Sequence, residues 1–184
     1  MSTSECTAVI IAICAAVLAA CASLTPAPGK SPGFGAAVSA EEVARFDISI
    51  PPSGAGLPKG GGSARQGLAV YEQKCMACHG VKGAGKPADV LVGGVGSLGT
   101  KAPLRTVGSY WPYATTLFDY VRRAMPLPSP LSLTDDEVYA VSAYVLFLNG
   151  IVAEDAVMNA QTLPAVKMPN RDGFVSDWPP RAGN

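Results

Sequence analysis

The chain has a single histidine in 184 residues. It also lacks any block of lysine or arginine: 14 basic residues balance 14 acidic ones, and the densest basic spot is Arg122-Arg123. A nucleic-acid-binding surface needs a clustered basic footprint, so that class is excluded. No apolar run reaches the roughly 20 residues that span a bilayer as a helix. The longest, "AVIIAICAAVLAA" from Ala8 to Ala20, has the length of the apolar segment of a secretory leader, although the "MSTSE" before it has no lysine or arginine. Glycine and proline, by contrast, are plentiful at 20 and 16. They cluster between a few periodic segments, which predicts short helices joined by long, turn-rich loops. The length suits one domain with additional leader or tail sequence.

The apolar run ends in Leu18-Ala19-Ala20-Cys21, the pattern at which bacterial lipoproteins are cleaved and lipidated. Residues 1–20 are therefore expected to be a lipoprotein-type signal peptide, with Cys21 as the lipid attachment site; simple cleavage of a secretory signal is the plainer alternative. Cys6 and Cys14 leave with the leader. Residues 21–45 are mostly small, polar and rich in Pro and Gly, the composition of a flexible tether. A lipid anchor needs such a spacer between membrane and domain.

Only Cys75 and Cys78 then remain inside the domain, and the lone histidine stands directly behind them in "KCMACHG". An exported protein ordinarily joins a cysteine pair as a disulfide. The adjacent His79 points elsewhere, because Cys-x-x-Cys-His is the attachment pattern of c-type haem. Two thiols at this spacing bond to the two vinyl groups on one porphyrin edge, and the neighbouring imidazole reaches the iron. A zinc site would need further Cys or His ligands, which the domain does not have. A thioredoxin-type redox pair would need a preceding strand.

With no second histidine, the iron's sixth ligand is expected to be a methionine thioether. Met76 lies within the motif and on the attachment side. Met125, in "RRAMP", follows a helix-like segment, and Pro126 favours extended backbone before it. Met168, in "VKMPN", has the same Met-Pro chemistry and is the rival; Met158 completes the set. Met125 is preferred because the 46 residues separating it from His79 leave enough chain to pass around the ring.

Three helices frame this site. "SARQGLAVYEQK" (63–74) opens on a Ser cap and runs directly into Cys75. "PYATTLFDYVRRA" (112–124) places Pro112 in a first turn and basic residues in the last. "TDDEVYAVSAYVLFLNG" opens with Thr134 and Glu137 as a capping box and stops at Asn149-Gly150. Gly67 is expected to let the first of these helices approach the last closely, with Tyr71 or Tyr144 at the crossing. Gly94 to Gly99 satisfies the Gly-x-Gly-x-x-Gly pattern and has Asp119 about 20 residues on. A dinucleotide site would need a helix starting there, which Pro103 opposes, so these glycines read as a loop close to the porphyrin. Tyr110, Trp111 and Tyr113 are candidates for haem-pocket lining or for ordinary core packing. Arg122 and Arg123 are candidates for contact with a haem propionate or an acidic partner, or for a solvated helix end.

The order helix, Cys-x-x-Cys-His, loop, helix, Met-Pro, capped helix resembles the class I cytochromes c over residues 63–150. The strings "GLPKGGGSARQGLAVYEQKCMACHG", "VGSYWPYATTLFDYVRRAMP", "SLTDDEVYAVSAYVLFLNGIV" and "LPAVKMPNRDGF" are more narrowly similar to SoxD-type cytochromes, haem subunits that partner a SoxC-type molybdenum dehydrogenase in periplasmic sulfur-compound oxidation. The resemblance implies an all-α fold of three to five short helices around one covalent haem c. It implies a cytochrome domain over 46–150 and a C-terminal extension over 151–184 that packs on it, with a disordered end. Cys75 and Cys78 would attach the haem, and His79 and Met125 would be its axial ligands. The implied function is one-electron transfer in the periplasm, not catalysis, from the molybdenum subunit to another cytochrome or oxidase of the respiratory chain. SoxD-type chains can carry a second haem domain, whereas this sequence has one motif. Other readings are a cytochrome acceptor of a different dehydrogenase, such as a quinoprotein alcohol oxidiser, a haem enzyme of thiosulfate oxidation, and a gas sensor.

Overall fold

The structure is a computed structural model that describes residues 33–175. The predicted signal peptide, Cys21 and most of the tether lie outside the described residues, as do 176–184. The chain divides into two units after Arg45. In the first, the end of the predicted flexible tether is not coil: Ala40–Phe46 forms a helix, α1. The local reasons are visible, since Ser39 Oγ accepts from the Glu42 N–H at 3.1 Å and Glu41 pairs with Arg45 one turn on at 3.1 Å. Acidic residues fill its first turn, where they complement the helix dipole.

The second unit is helical with one small ribbon. Strand β1 (Gly61–Ser63) leads into α2 (Ala64–Lys74), followed by the one-turn α3 (Met76–His79), then α4 (Ala114–Ala124), α5 (Asp135–Leu148) and strand β2 (Val157–Asn159). The expected Ser63 cap and the expected Thr134–Glu137 capping box both form, and the Ser63 cap is itself a capping box. Ser63 Oγ accepts from the Gln66 N–H while Gln66 accepts from the Ser63 N–H, and Thr134 and Glu137 exchange the same pair of bonds. Helix α4 departs slightly from expectation: it starts at Ala114, with Tyr113 as an extended N-cap, so Pro112 lies before the first turn.

The core is built on α5, whose residues Val138 to Leu146 are all buried. Helix α2 crosses it at Gly67, where a Cβ would run into the Ala140 carbonyl and come within 2.8 Å of Tyr144 Cβ. Tyr71 and Tyr144 pack at that crossing with ring centroids 5.3 Å apart. On the other flank Phe118 of α4 stacks on Tyr139 of α5 at 4.4 Å. Burial pushes both Tyr71 and Tyr139 phenols up to about 12, and each hydroxyl donates 2.9 Å to a backbone carbonyl, Gly80 and Pro58 respectively.

The β1–β2 ribbon pairs antiparallel with Gly62 opposite Met158. It escaped the sequence analysis because "GGS" carries no alternating apolar signal. From it the chain returns over the domain: Leu163 and Met168 are buried, Asn170 Nδ2 donates to the Tyr110 carbonyl at 2.8 Å, and Phe174 meets Tyr110 edge-on at 5.2 Å.

Asp119 proves to be structural. It is buried, accepts the Ile50 N–H at 2.8 Å and pairs with Arg123 one turn on. Burial pushes its carboxyl up, but the Arg123 hydrogen bond, the Ile50 N–H and the charges of Arg123 and Arg122 outweigh that and hold it below its ordinary value of 3.8. Arg122 pairs with Asp135 at 3.2 Å. Both arginines thus lie in the last turn of α4, as expected, and each is paired with a carboxylate of the domain.

Two stability predictions follow from these contacts. Alanine is the better helix former by about 1 kcal/mol, yet at Gly67 the backbone contact outweighs that. Gly67→Ala is expected to lose about 2 kcal/mol in guanidinium unfolding, whereas Gly99→Ala, with open space around it, stays within about 0.5 kcal/mol. A stabilised Gly67→Ala protein would refute the crossing. Asp119→Asn is expected to cost about 2 kcal/mol at neutral pH. Because the folded pKa is depressed, that contribution is complete above the unfolded value and lost as pH falls through the folded one. The gap between wild type and variant should therefore close in acid.

Candidate haem-binding site

Helix α2 ends at Lys74, and Cys75 is both its C-cap and the start of the next turn. The Cys78 and His79 N–H groups donate to the Cys75 carbonyl at 3.1 and 2.9 Å, and the Gly80 N–H to the Met76 carbonyl at 2.8 Å. One helical turn therefore carries Cys75, Cys78 and His79, and residues three and four apart share a helix face. Gly80 stops the turn with φ 73°, and a Cβ there would strike the Gly85 carbonyl. The loop after the motif can fold back only because that Cβ is missing.

Cys75 and Cys78 are free thiols. Their surroundings differ: Cys75 packs against the core, while Cys78 is exposed. Burial, with a smaller contribution from Cys78, pushes the Cys75 thiol up to about 11. Among the described residues, no group of three or more His, Cys, Asp or Glu side chains is gathered to hold a metal ion.

His79 is half-buried, and its Nδ1 lies 3.0 Å from the Asp89 carbonyl oxygen. A carbonyl only accepts, so Nδ1 carries the proton and Nε2 is left with a free lone pair. A histidine held in this tautomer is prepared for iron, since ligating imidazoles characteristically donate their other N–H to a carbonyl or carboxylate. The donor set thus fits a c-type haem: two unpaired thiols and an oriented imidazole on one turn.

The methionines separate by their packing. Met158 and Met168 are 4% and 3% exposed and belong to the hydrophobic core, and Met76 packs on its edge. Met125 is half-buried and outside that cluster. It caps α4 in extended backbone, φ −117° and ψ 148°, as the following proline leads one to expect.

The glycine-rich segment is a loop of turns with no helix after it. Gly93, Gly94 and Gly96 have positive φ, and Gly94 lies against the Leu104 carbonyl. Thr106 and Ser109, both buried, tie this loop by hydroxyl bonds of 2.6 Å to the Gly93 and Leu104 carbonyls. The half-buried Tyr110, Trp111 and Tyr113 contact Phe174, Tyr120 and Arg171. The sequence analysis missed the roles of Asp89 and Asn149. Asp89 acts through its backbone, which no side-chain pattern signals, and Asn149 had been read only as a helix stop.

Helices packed around a Cys-x-x-Cys-His turn define a c-type cytochrome, and comparisons with known proteins agree. Residues 62–145 match the family model described as cytochrome c oxidase, cbb3-type, subunit III. Among solved structures, the sulfane dehydrogenase SoxCD from Paracoccus pantotrophus matches at 39% identity with a TM-score of 0.74, covering 80% of this chain and 73% of that one. A search of curated proteins gives no match. The chain belongs to the class I cytochromes c. Within that family it is a relative of the cytochrome subunit of SoxCD, and it is an electron-transfer domain with covalently bound haem c.

Proposed function

We propose that this protein is a periplasmic one-electron carrier that accepts electrons from a SoxC-like molybdenum dehydrogenase subunit and passes them to another cytochrome or oxidase of the respiratory chain. Cys75 and Cys78 would form the two thioether bonds, and His79 Nε2 and the Met125 sulfur would be the axial ligands. The bound haem supplies reversible exchange between ferric and ferrous iron. The observation that carries the ligand assignment is the packing of the methionines: Met158 and Met168 are spent in the core, Met76 lies beside the attachment cysteines, and Met125 stands outside the core in extended backbone.

The remaining residues make the site suited to a carrier. His79, held by Asp89, presents one fixed nitrogen. A thioether as the second ligand would favour ferrous iron and hence a relatively high potential. With His79 and Met125 both engaged, the iron would have no position left for a substrate. The likeness to SoxCD supports the choice of donor. Among the described residues no helix is long and apolar enough to cross a membrane, and membrane attachment in this reading rests on a lipid at Cys21, for which Leu18-Ala19-Ala20-Cys21 is the support.

Replacing Met125 with Ala should abolish the methionine-to-iron charge-transfer band of the ferric spectrum and let carbon monoxide bind the ferrous protein. Met168→Ala should leave both unchanged, at a cost of about 3 kcal/mol in stability from the core cavity. The reverse pattern would make Met168 the ligand. For the donor, tagged holoprotein drawn from cells grown on reduced sulfur compounds should bring down a molybdenum-containing protein that reduces it when sulfite or a sulfane is added. Recovery of a quinoprotein, or no reduction by either compound, would reject the assignment.

A further inference from the structure

Asn149 ends α5, but its side chain faces a distant loop. Oδ1 accepts from the Gly93 N–H at 3.1 Å, while Nδ2 donates to the Leu91 carbonyl at 3.2 Å and to the Val145 carbonyl at 2.9 Å. Gly108 packs so closely on this amide that a Cβ there would strike Oδ1. Thr106 Oγ1 grips the Gly93 carbonyl at 2.6 Å. Both backbone polar groups of Gly93 are therefore held by side chains, one from each neighbouring element.

The clamped segment starts two residues after Asp89, the residue whose carbonyl receives the His79 Nδ1 proton. Closer to the motif, the Ala88 N–H donates to the Cys78 carbonyl and the Leu91 N–H to the Gly83 carbonyl, both at 2.9 Å. Those bonds tie the loop to the motif, which is itself short and followed by turns. Asn149 ties the same loop to α5, the most deeply buried helix of the unit.

We infer that Asn149 is a positioning residue for the iron-facing histidine: by clamping Leu91 and Gly93 to the end of α5, it fixes the Asp89 carbonyl that holds the His79 Nδ1 proton. This rests on His79 being an axial ligand. A firm Nδ1–H···O bond enriches Nε2 in electron density and favours ferric iron. Loosening the acceptor therefore raises the reduction potential.

The test uses the full, haem-loaded protein. In Asn149→Ala, the His79 Nδ1 proton should exchange with solvent at least about tenfold faster in the ferrous NMR spectrum, the protection of roughly one hydrogen bond being lost, and the potential should rise. Asn170→Ala breaks a comparable bond, to the Tyr110 carbonyl, and should change neither, which separates positioning from general loosening. Wild-type exchange in folded Asn149→Ala, or a potential that stays or falls, overturns the inference. If Asn149→Ala does not accumulate, Thr106→Val loosens Gly93 from the opposite side and faces the same two criteria. Wild-type ferrous protein without ring-current-shifted His79 imidazole protons would instead overturn the ligand assignment beneath it.

Discussion

The contact of α2 with α5 at Gly67 is the constraint on which the rest of the domain depends. A helix axis can come this near only where one partner has no side chain, and here the Gly67 backbone lies against the Ala140 carbonyl. The crossing fixes the end of α2, and the end of α2 is where the cysteine and histidine turn begins. It also fixes α5, whose far end carries Asn149. One close approach therefore sets both the turn that bears Cys75, Cys78 and His79 and the anchor of the loop opposite it.

Most buried polar side chains in the domain hold backbone. Tyr71, Tyr139, Thr106, Ser109, Asp119 and Asn149 all reach main-chain groups of loops or extended segments. A unit with little secondary structure between residues 84 and 113 has no ladder to satisfy those groups, and a buried unpaired amide or carbonyl costs about as much as a lost hydrogen bond. Side chains take over that task.

Much of the fold was legible in the sequence. The Ser63 cap, the Thr134–Glu137 capping box, the Gly67 crossing and its tyrosines were read correctly, because each depends on contacts within one turn or on one residue type with one conformational use. The haem motif was legible for the same reason, three reactive side chains lying within five positions. Pro112 was placed in the first turn of α4 but lies two residues before it, the ribbon was missed because its strands are three residues long, and α1 was missed because small residues around it suggested a tether. Asp119 drew notice only as the acid of a false nucleotide pattern, and the structure gives it a buried role instead.

The sequence by itself determined the pattern that points to the chemistry: two thiols and the one histidine within five positions, at the spacing of c-type haem attachment. Local spacing suffices for that, because covalent geometry allows few ways to meet a flat ring from one turn. Only the tertiary structure decided which methionines are consumed by the core, which carbonyl orients His79, and what holds that carbonyl in place. Those depend on contacts between residues 10 to 60 positions apart, such as His79 with Asp89 and Asn149 with Gly93. The last two have backbone atoms as partners, and every residue has the same backbone, so no pattern of side chains announces them in advance.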